Sequence, residues 1–131
     1  MNYDLQLNEL IKNALAEDIG DGDHSTLSSI DKQAKGKAIL KIKEDGVLAG
    51  MAVAEKIFRY MQPDIAFQAF KKDGDAMKYG EIAFEVNAAV HTILQCERLA
   101  LNCMQRMSGI ATLTKTYVDK LSGYTTKLLH N

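Results

Sequence analysis

Five polar residues, His91, Gln95, Arg98, Asn102 and Gln105, recur at spacings of 4, 3, 4 and 3 within a largely apolar run. At the α-helical repeat such spacing places all five on one face. Ile93, Leu94, Leu99, Leu101, Met104 and Met107 surround them, so the predicted helix is apolar nearly all round except along this row. An arginine offers a rigid fork of donors that matches a carboxylate or phosphate, and neighbouring amides add hydrogen bonds to it. The chemistry on offer is therefore anion binding, although the same spacing describes a solvated stripe on a helix packed elsewhere. His91 and His130 lack a partner that the sequence assigns, so neither is given acid–base work.

The row needs elements to position it. Leu7, Leu10, Ile11, Ala14 and Leu15 recur at helical spacing ahead of Gly20, which predicts an amphipathic helix over about 4–18. From Lys37 to Lys43, Ala38, Leu40 and Ile42 alternate with lysines, the pattern of a half-exposed strand. Asp45-Gly46 is a hairpin-turn signal leading into a return strand from Val47 to Ala49. Val53, Ala54, Ile57, Phe58 and Met61 give the next helix its apolar face before Pro63 ends it. Ile65–Lys71 and Glu81–Val86 read as a second strand pair, with Ile82, Phe84 and Val86 facing inward. The polar-striped helix follows over about 88–107, broken near Ser108-Gly109. A further helix carries Leu113, Tyr117, Val118 and Leu121 to Ser122-Gly123, and Tyr124 to Leu129 reads as a strand opening a second domain.

Composition bounds the functions open to these elements. The 131 residues are 47% apolar and 25% charged, enough apolar surface to fold as one ordinary domain. Residues 1–30 carry a net −5 and residues 31–131 a net +4, a mild balance that suits an anionic small molecule better than nucleic acid. No run approaches the ~20 apolar residues of a membrane span, and the acidic N-terminus lacks a secretory pattern, so a cytoplasmic setting is expected. Cys96 and Cys103 lack metal-site spacing and read as inert core thiols. Asp18, Asp21 and Asp23 read as a solvated turn with His24, because an EF-hand begun at Asp21 would need glutamate where Lys32 stands. No metal site is assigned. Lys78, in Ala76-Met77-Lys78, echoes biotin-carrying domains, but it lies inside the Gly-Asp…Gly turn that should precede such a lysine.

Motifs along the whole chain narrow the reading. Glu97-Arg98-Leu99-Ala100-Leu101-Asn102 followed by Gln105-Arg106-Met107-Ser108-Gly109-Ile110-Ala111-Thr112-Leu113-Thr114 resembles the ERTALN…QRLSGIATLT signature of quinolinate phosphoribosyltransferases, also called carboxylating nicotinate-nucleotide pyrophosphorylases. Glu17-Asp18-Ile19-Gly20-Asp21-Gly22-Asp23, Asp45-Gly46-Val47-Leu48-Ala49-Gly50 and Asp73-Gly74-Asp75 with Gly80-Glu81 are similar to further family segments in the same order. Leu99 stands where the family usually has threonine, and Cys103-Met104 replace bulkier apolar residues.

The resemblance implies an α+β N-terminal domain over 1–108, a small antiparallel sheet with packed helices, and the first elements of a truncated α/β barrel over 109–131. It implies a homodimer in which this domain caps the barrel of the other subunit and Arg98 reaches the dicarboxylate substrate; the helical spacing adds His91, Gln95, Asn102 and Gln105 as the supporting polar line. The reaction implied joins quinolinate to phosphoribosyl pyrophosphate, with Mg²⁺ on the diphosphate, giving nicotinate mononucleotide, pyrophosphate and CO2 for NAD biosynthesis. The family's DTRKT-like motif would follow the first barrel strand, whereas Lys127-Leu128-Leu129 leads to His130-Asn131, so this chain alone is expected to bind no cofactor and not to turn over. A barrel-sandwich carrier module and a paralogue with another anionic substrate are the alternatives.

Overall fold

Alternating strands and helical apolar stripes assemble much as their patterns require. The computed structural model describes residues 3–20 and 29–130, with side chains at 5–17 and 29–122. In chain order the elements are α1 (Tyr3–Gly20), β1 (Lys35–Lys41), β2 (Gly46–Val47), α2 (Met51–Met61), β3 (Ala66–Ala69), β4 (Ala76–Met77), β5 (Ile82–Ala89) and α3 (Val90–His130). The α+β class is as expected. One antiparallel sheet has the order β1-β5-β3, and β2 pairs with β4 in a second, two-stranded one.

The core lies between the larger sheet and the helices. Phe84, Val86 and Ala88 of β5, with Ala38 and Leu40 of β1, face Met51, Ala54, Ile57 and Phe58 of α2 and Ile93, Cys96, Ala100 and Met104 of α3. Phe84 stacks on Phe67 of β3 at 4.7 Å and meets Phe58 edge-on at 6.2 Å, tying α2 to the sheet. α1 packs on α2 and α3, burying Ile11 and Leu15, one helical turn apart. Leu10, expected on the same face, is 66% exposed because it sits about 100° round the helix from Ile11. Among the described residues no helix is long and apolar enough to cross a membrane.

Four local expectations are corrected. Asp45-Gly46 does not close a hairpin on β1: β1 runs from Lys35↔Ala89 to Lys41↔Ile82 along β5, and β2 pairs with β4. The eight-residue β5 offers β1 a matching apolar face, which the two residues of β2 cannot. Secondly, Ile82 is partly exposed and Ala83 buried, because the register shifts between Leu40↔Phe84 and Lys41↔Ile82 and inserts Ala83 as an extra residue. A bulge of this kind turns every side chain beyond it to the opposite face.

The third correction is at Ser108-Gly109, where α3 runs on without a break. Thr112 Oγ1 donates to the Ser108 carbonyl at 2.7 Å and Thr116 Oγ1 to the Thr112 carbonyl at 3.0 Å, so these hydroxyls stay within helical geometry. Gly109 costs only about 1 kcal/mol relative to alanine at such a position. Lastly, the stop at Ser122-Gly123 and the barrel strand expected from Tyr124 to Leu129 are not formed; the segment is helical to His130. A helix satisfies its own backbone groups, whereas a strand needs a neighbour, and no strand is paired with this segment among the described residues.

Candidate functional site

The polar row occupies the side of α3 turned away from the core. Ile93, Cys96, Ala100 and Met104 are buried, whereas Arg98, Asn102 and Gln105 are exposed and His91 and Gln95 half-buried. Arg98 lies about 160° round the helix axis from Ala100. The expectation of a helix apolar and buried on most sides is corrected here, since Leu94 and Leu101 beside the row are 39% and 40% exposed. One face alone is packed, and the arginine therefore projects from the surface.

The five residues do not act as one set. The His91 ring donates from Nε2 to the Ile30 carbonyl at 2.8 Å, which holds the chain ahead of β1 against the start of α3. That bond gives it a structural task. At the other end, Gln105 joins a groove of about 650 Å³ between the β1–β2 connection and α3, whose wall also includes Lys41, Lys43, Leu101 and Thr112. Between these ends the Arg98 guanidinium has Asn102 one turn along the same face, a donor-rich strip suited to an anion.

Other motif residues have structural employment that the sequence did not reveal. Asp45 Oδ1 accepts from the Tyr79 amide at 2.8 Å, and Asp75 Oδ2 from the Lys72 amide at 2.9 Å, which shapes the two turns. Leu48 N–H donates to the Asp75 carbonyl and Gly74 N–H to the Leu48 carbonyl, extending the β2–β4 pairing. On the opposite edge of the Val47–Ala49 segment stand two hydroxyls from α3. Thr112 Oγ1 accepts from Val47 N–H at 2.9 Å, while Ser108 Oγ accepts from Ala49 N–H at 2.9 Å and donates to its carbonyl at 3.0 Å. The i,i+4 rise of a helix, about 6 Å, nearly equals the i,i+2 rise of a strand, so two hydroxyls one turn apart can serve as a strand edge. Gly46 and Gly50 permit the approach: a Cβ on Gly46 would collide with Thr112 Oγ1, and one on Gly50 would stand 3.1 Å from Met104 Cα. The Ser-x-x-x-Thr spacing was a usable signal for this contact.

Electrostatics separates the two thiols from the site. Burial pushes the Cys96 thiol up from 9.0 to about 12, and Cys103 is raised by burial against the opposing pull of Arg106. Both are free, and Cys96 donates weakly to the Ile57 carbonyl at 3.7 Å. Among the described residues no three His, Cys, Asp or Glu side chains come together to hold a metal. Asp21, Asp23 and His24 lie outside the described residues, as do the side chains of Asp18 and His130.

Comparison with known proteins identifies the pattern. The family described as "Quinolinate phosphoribosyl transferase, N-terminal domain" matches residues 23–108. The chain belongs to this family. This quinolinate phosphoribosyltransferase N-terminal domain is 43% identical over 121 residues to a chloroplastic carboxylating nicotinate-nucleotide pyrophosphorylase of Arabidopsis thaliana, covering 92% of this chain and 34% of that protein. A probable carboxylating nicotinate-nucleotide pyrophosphorylase of Synechocystis is 37% identical over 115 residues, 88% of this chain and 39% of that one. The crystal structure of NadC from Streptococcus pyogenes superposes with a TM-score of 0.83 at 38% identity, covering 90% of this chain and 42% of that chain. The chain thus spans about a third of the length of the curated relatives it matches.

Proposed function

We propose that this domain is the N-terminal portion of a phosphoribosyltransferase that converts quinolinate and phosphoribosyl pyrophosphate to nicotinate mononucleotide, pyrophosphate and CO2 in NAD biosynthesis. The observation that carries the reading is Arg98, set on the outward, exposed face of α3 inside the Glu97–Asn102 motif. Residues 1–108 form the domain and 109–131 lead toward an α/β barrel; the family match ends at Ser108, in keeping with that boundary.

In the complete homodimer Arg98 reaches from one subunit into the barrel of the other and pairs, fork to fork, with a carboxylate of the dianionic substrate. Its work is to bind and orient. Gln95, Asn102 and Gln105 supply neutral donors along the same face, and His91, spent on the Ile30 carbonyl, is left out of the set. Mg²⁺ would accompany the diphosphate of the second substrate; among the described residues no three His, Cys, Asp or Glu side chains are grouped to hold it. A paralogue acting on another anion would use the same arginine, so the substrate itself is put to the test.

In the complete protein, Arg98→Ala is expected to lower kcat/KM for quinolinate at least about tenfold, the value of a charged bidentate hydrogen bond. Arg98→Lys restores part of it, keeping the charge and losing the fork. Steady-state formation of nicotinate mononucleotide measures both variants, and an Arg98→Ala protein with unaltered quinolinate kinetics refutes the assignment. The 131-residue chain by itself is expected to form no product above a no-protein control.

A further inference from the structure

We propose that Ser108 and Thr112 are positioning residues for Arg98, fixing the rotation and axial setting of α3 through their hydrogen bonds to Val47 and Ala49. The inference rests on the role given to Arg98 above. Apolar burial through Ile93, Cys96, Ala100 and Met104 holds α3 against the core, but such contacts are non-directional and oppose separation more than sliding or rolling. Hydrogen bonds are directional and set both. On the packed side of α3, among the described residues, they cluster at two places, with the weak Cys96 Sγ–Ile57 carbonyl bond at 3.7 Å between them. At its start, Val90 N–H donates to the Ala34 carbonyl at 2.8 Å, and Gln62 Oε1 accepts from Ala89 N–H at 2.9 Å and from Thr92 Oγ1 at 2.8 Å. Farther along, Ser108 and Thr112 grip the Val47–Ala49 segment, whose other edge is fixed by β4.

Arg98 lies between these anchors on the outward face. Ser108, 6% exposed, uses its hydroxyl both ways on the Ala49 peptide groups, so the helix cannot roll or advance there without losing both bonds. A long side chain projecting from α3 amplifies any such movement at its tip, and bidentate pairing with a carboxylate tolerates little displacement.

The test uses the complete protein, with Thr112→Val and Ser108→Ala each made alone and combined with Arg98→Ala. Thr112→Val keeps the side chain's shape and removes the hydroxyl, so it carries the measurement if Ser108→Ala fails to fold. We expect Thr112→Val to raise KM for quinolinate at least threefold with KM for phosphoribosyl pyrophosphate unchanged, and Thr112→Ser to restore it. In the Arg98→Ala background the same substitution should bring no further loss in kcat/KM. Equal losses in both backgrounds, or an unchanged quinolinate KM where Arg98→Ala raises it, overturn the positioning role while leaving Arg98 in place. If Arg98→Ala itself changes nothing, the functional reading falls first, and the inference with it.

Discussion

The carboxylate of Asp73 caps a helix that begins at Met51, 22 residues earlier in the chain. Its Oδ1 accepts from Met51 N–H at 2.7 Å and its Oδ2 from Ala52 N–H at 3.3 Å. The local cap position of α2 is Gly50, which has no side chain to offer, so an acidic residue from the β3–β4 connection neutralises the exposed donors and the positive end of the helix dipole.

Removing that carboxylate should loosen α2 and its neighbours. Asp73→Ala is expected to cost about 1 kcal/mol, the usual worth of an N-cap, with Asp73→Asn losing less because its amide oxygen can still accept. Urea unfolding followed by circular dichroism reads the difference. Equal stability of wild type and Asp73→Ala would mean that water caps the helix just as well.

Two glycines of similar backbone geometry should respond differently to alanine. Gly50 and Gly80 have φ of 91° and 90°, so each substitution meets left-handed strain of about 1–2 kcal/mol. At Gly80 nothing lies within 4 Å of the added Cβ, whereas at Gly50 it meets Met104 Cα at 3.1 Å and Met107 Sδ at 3.3 Å. Gly50→Ala should therefore be the more destabilising by at least about 1 kcal/mol, as α3 is forced outward. Paired denaturation curves decide it, and comparable losses would show that α3 moves aside without penalty.

Thiol chemistry should distinguish Cys103 from Cys96. At pH 8, alkylation is expected at half-buried Cys103, with Cys96 reacting only after unfolding, because the thiolate is the reactive form and burial raises Cys96 to about 12. The folded state keeps this proton at a pH where the unfolded chain has released it. The resulting stabilisation is complete below pH 9.0 and disappears as pH rises toward about 12. Cys96→Ala should flatten the alkaline fall of the urea midpoint over that interval; an unchanged slope would assign the fall to other groups.

The sequence made local periodicity legible and distant partnership much less so. α2 was readable because Ala54, Ile57 and Phe58 repeat at helical spacing before Gln62-Pro63, and the helix buries all three together with Met51. Ala38 and Leu40 were likewise readable as the inward face of β1, and Ile42, just past its end, is buried as the alternation required. What β1 pairs with was not, since Asp45-Gly46 is a turn signal whatever follows it, and the choice of β5 depends on a facing surface many residues away. Ser108-Gly109 resembles a helix end in composition; only the Val47–Ala49 segment lying alongside explains why Ser108 belongs to a helix interior. The polar row was visible as a stripe. Its division into a structural His91 and an outward Arg98 needed the position of Ile30.

The central strand of the larger sheet is also the last of that sheet to be synthesised. Lys35 waits for Ala89 and Ala66 for Asn87, so neither outer strand has its ladder until β5 has left the ribosome. Such high contact order slows folding and leaves two unpaired strands on the nascent chain. Lys35, Lys37 and Lys41 put charge along the earlier of them, which discourages pairing with a neighbouring chain during the delay. The lysines that look like mere solvation of a finished surface thus also protect the polypeptide during its manufacture.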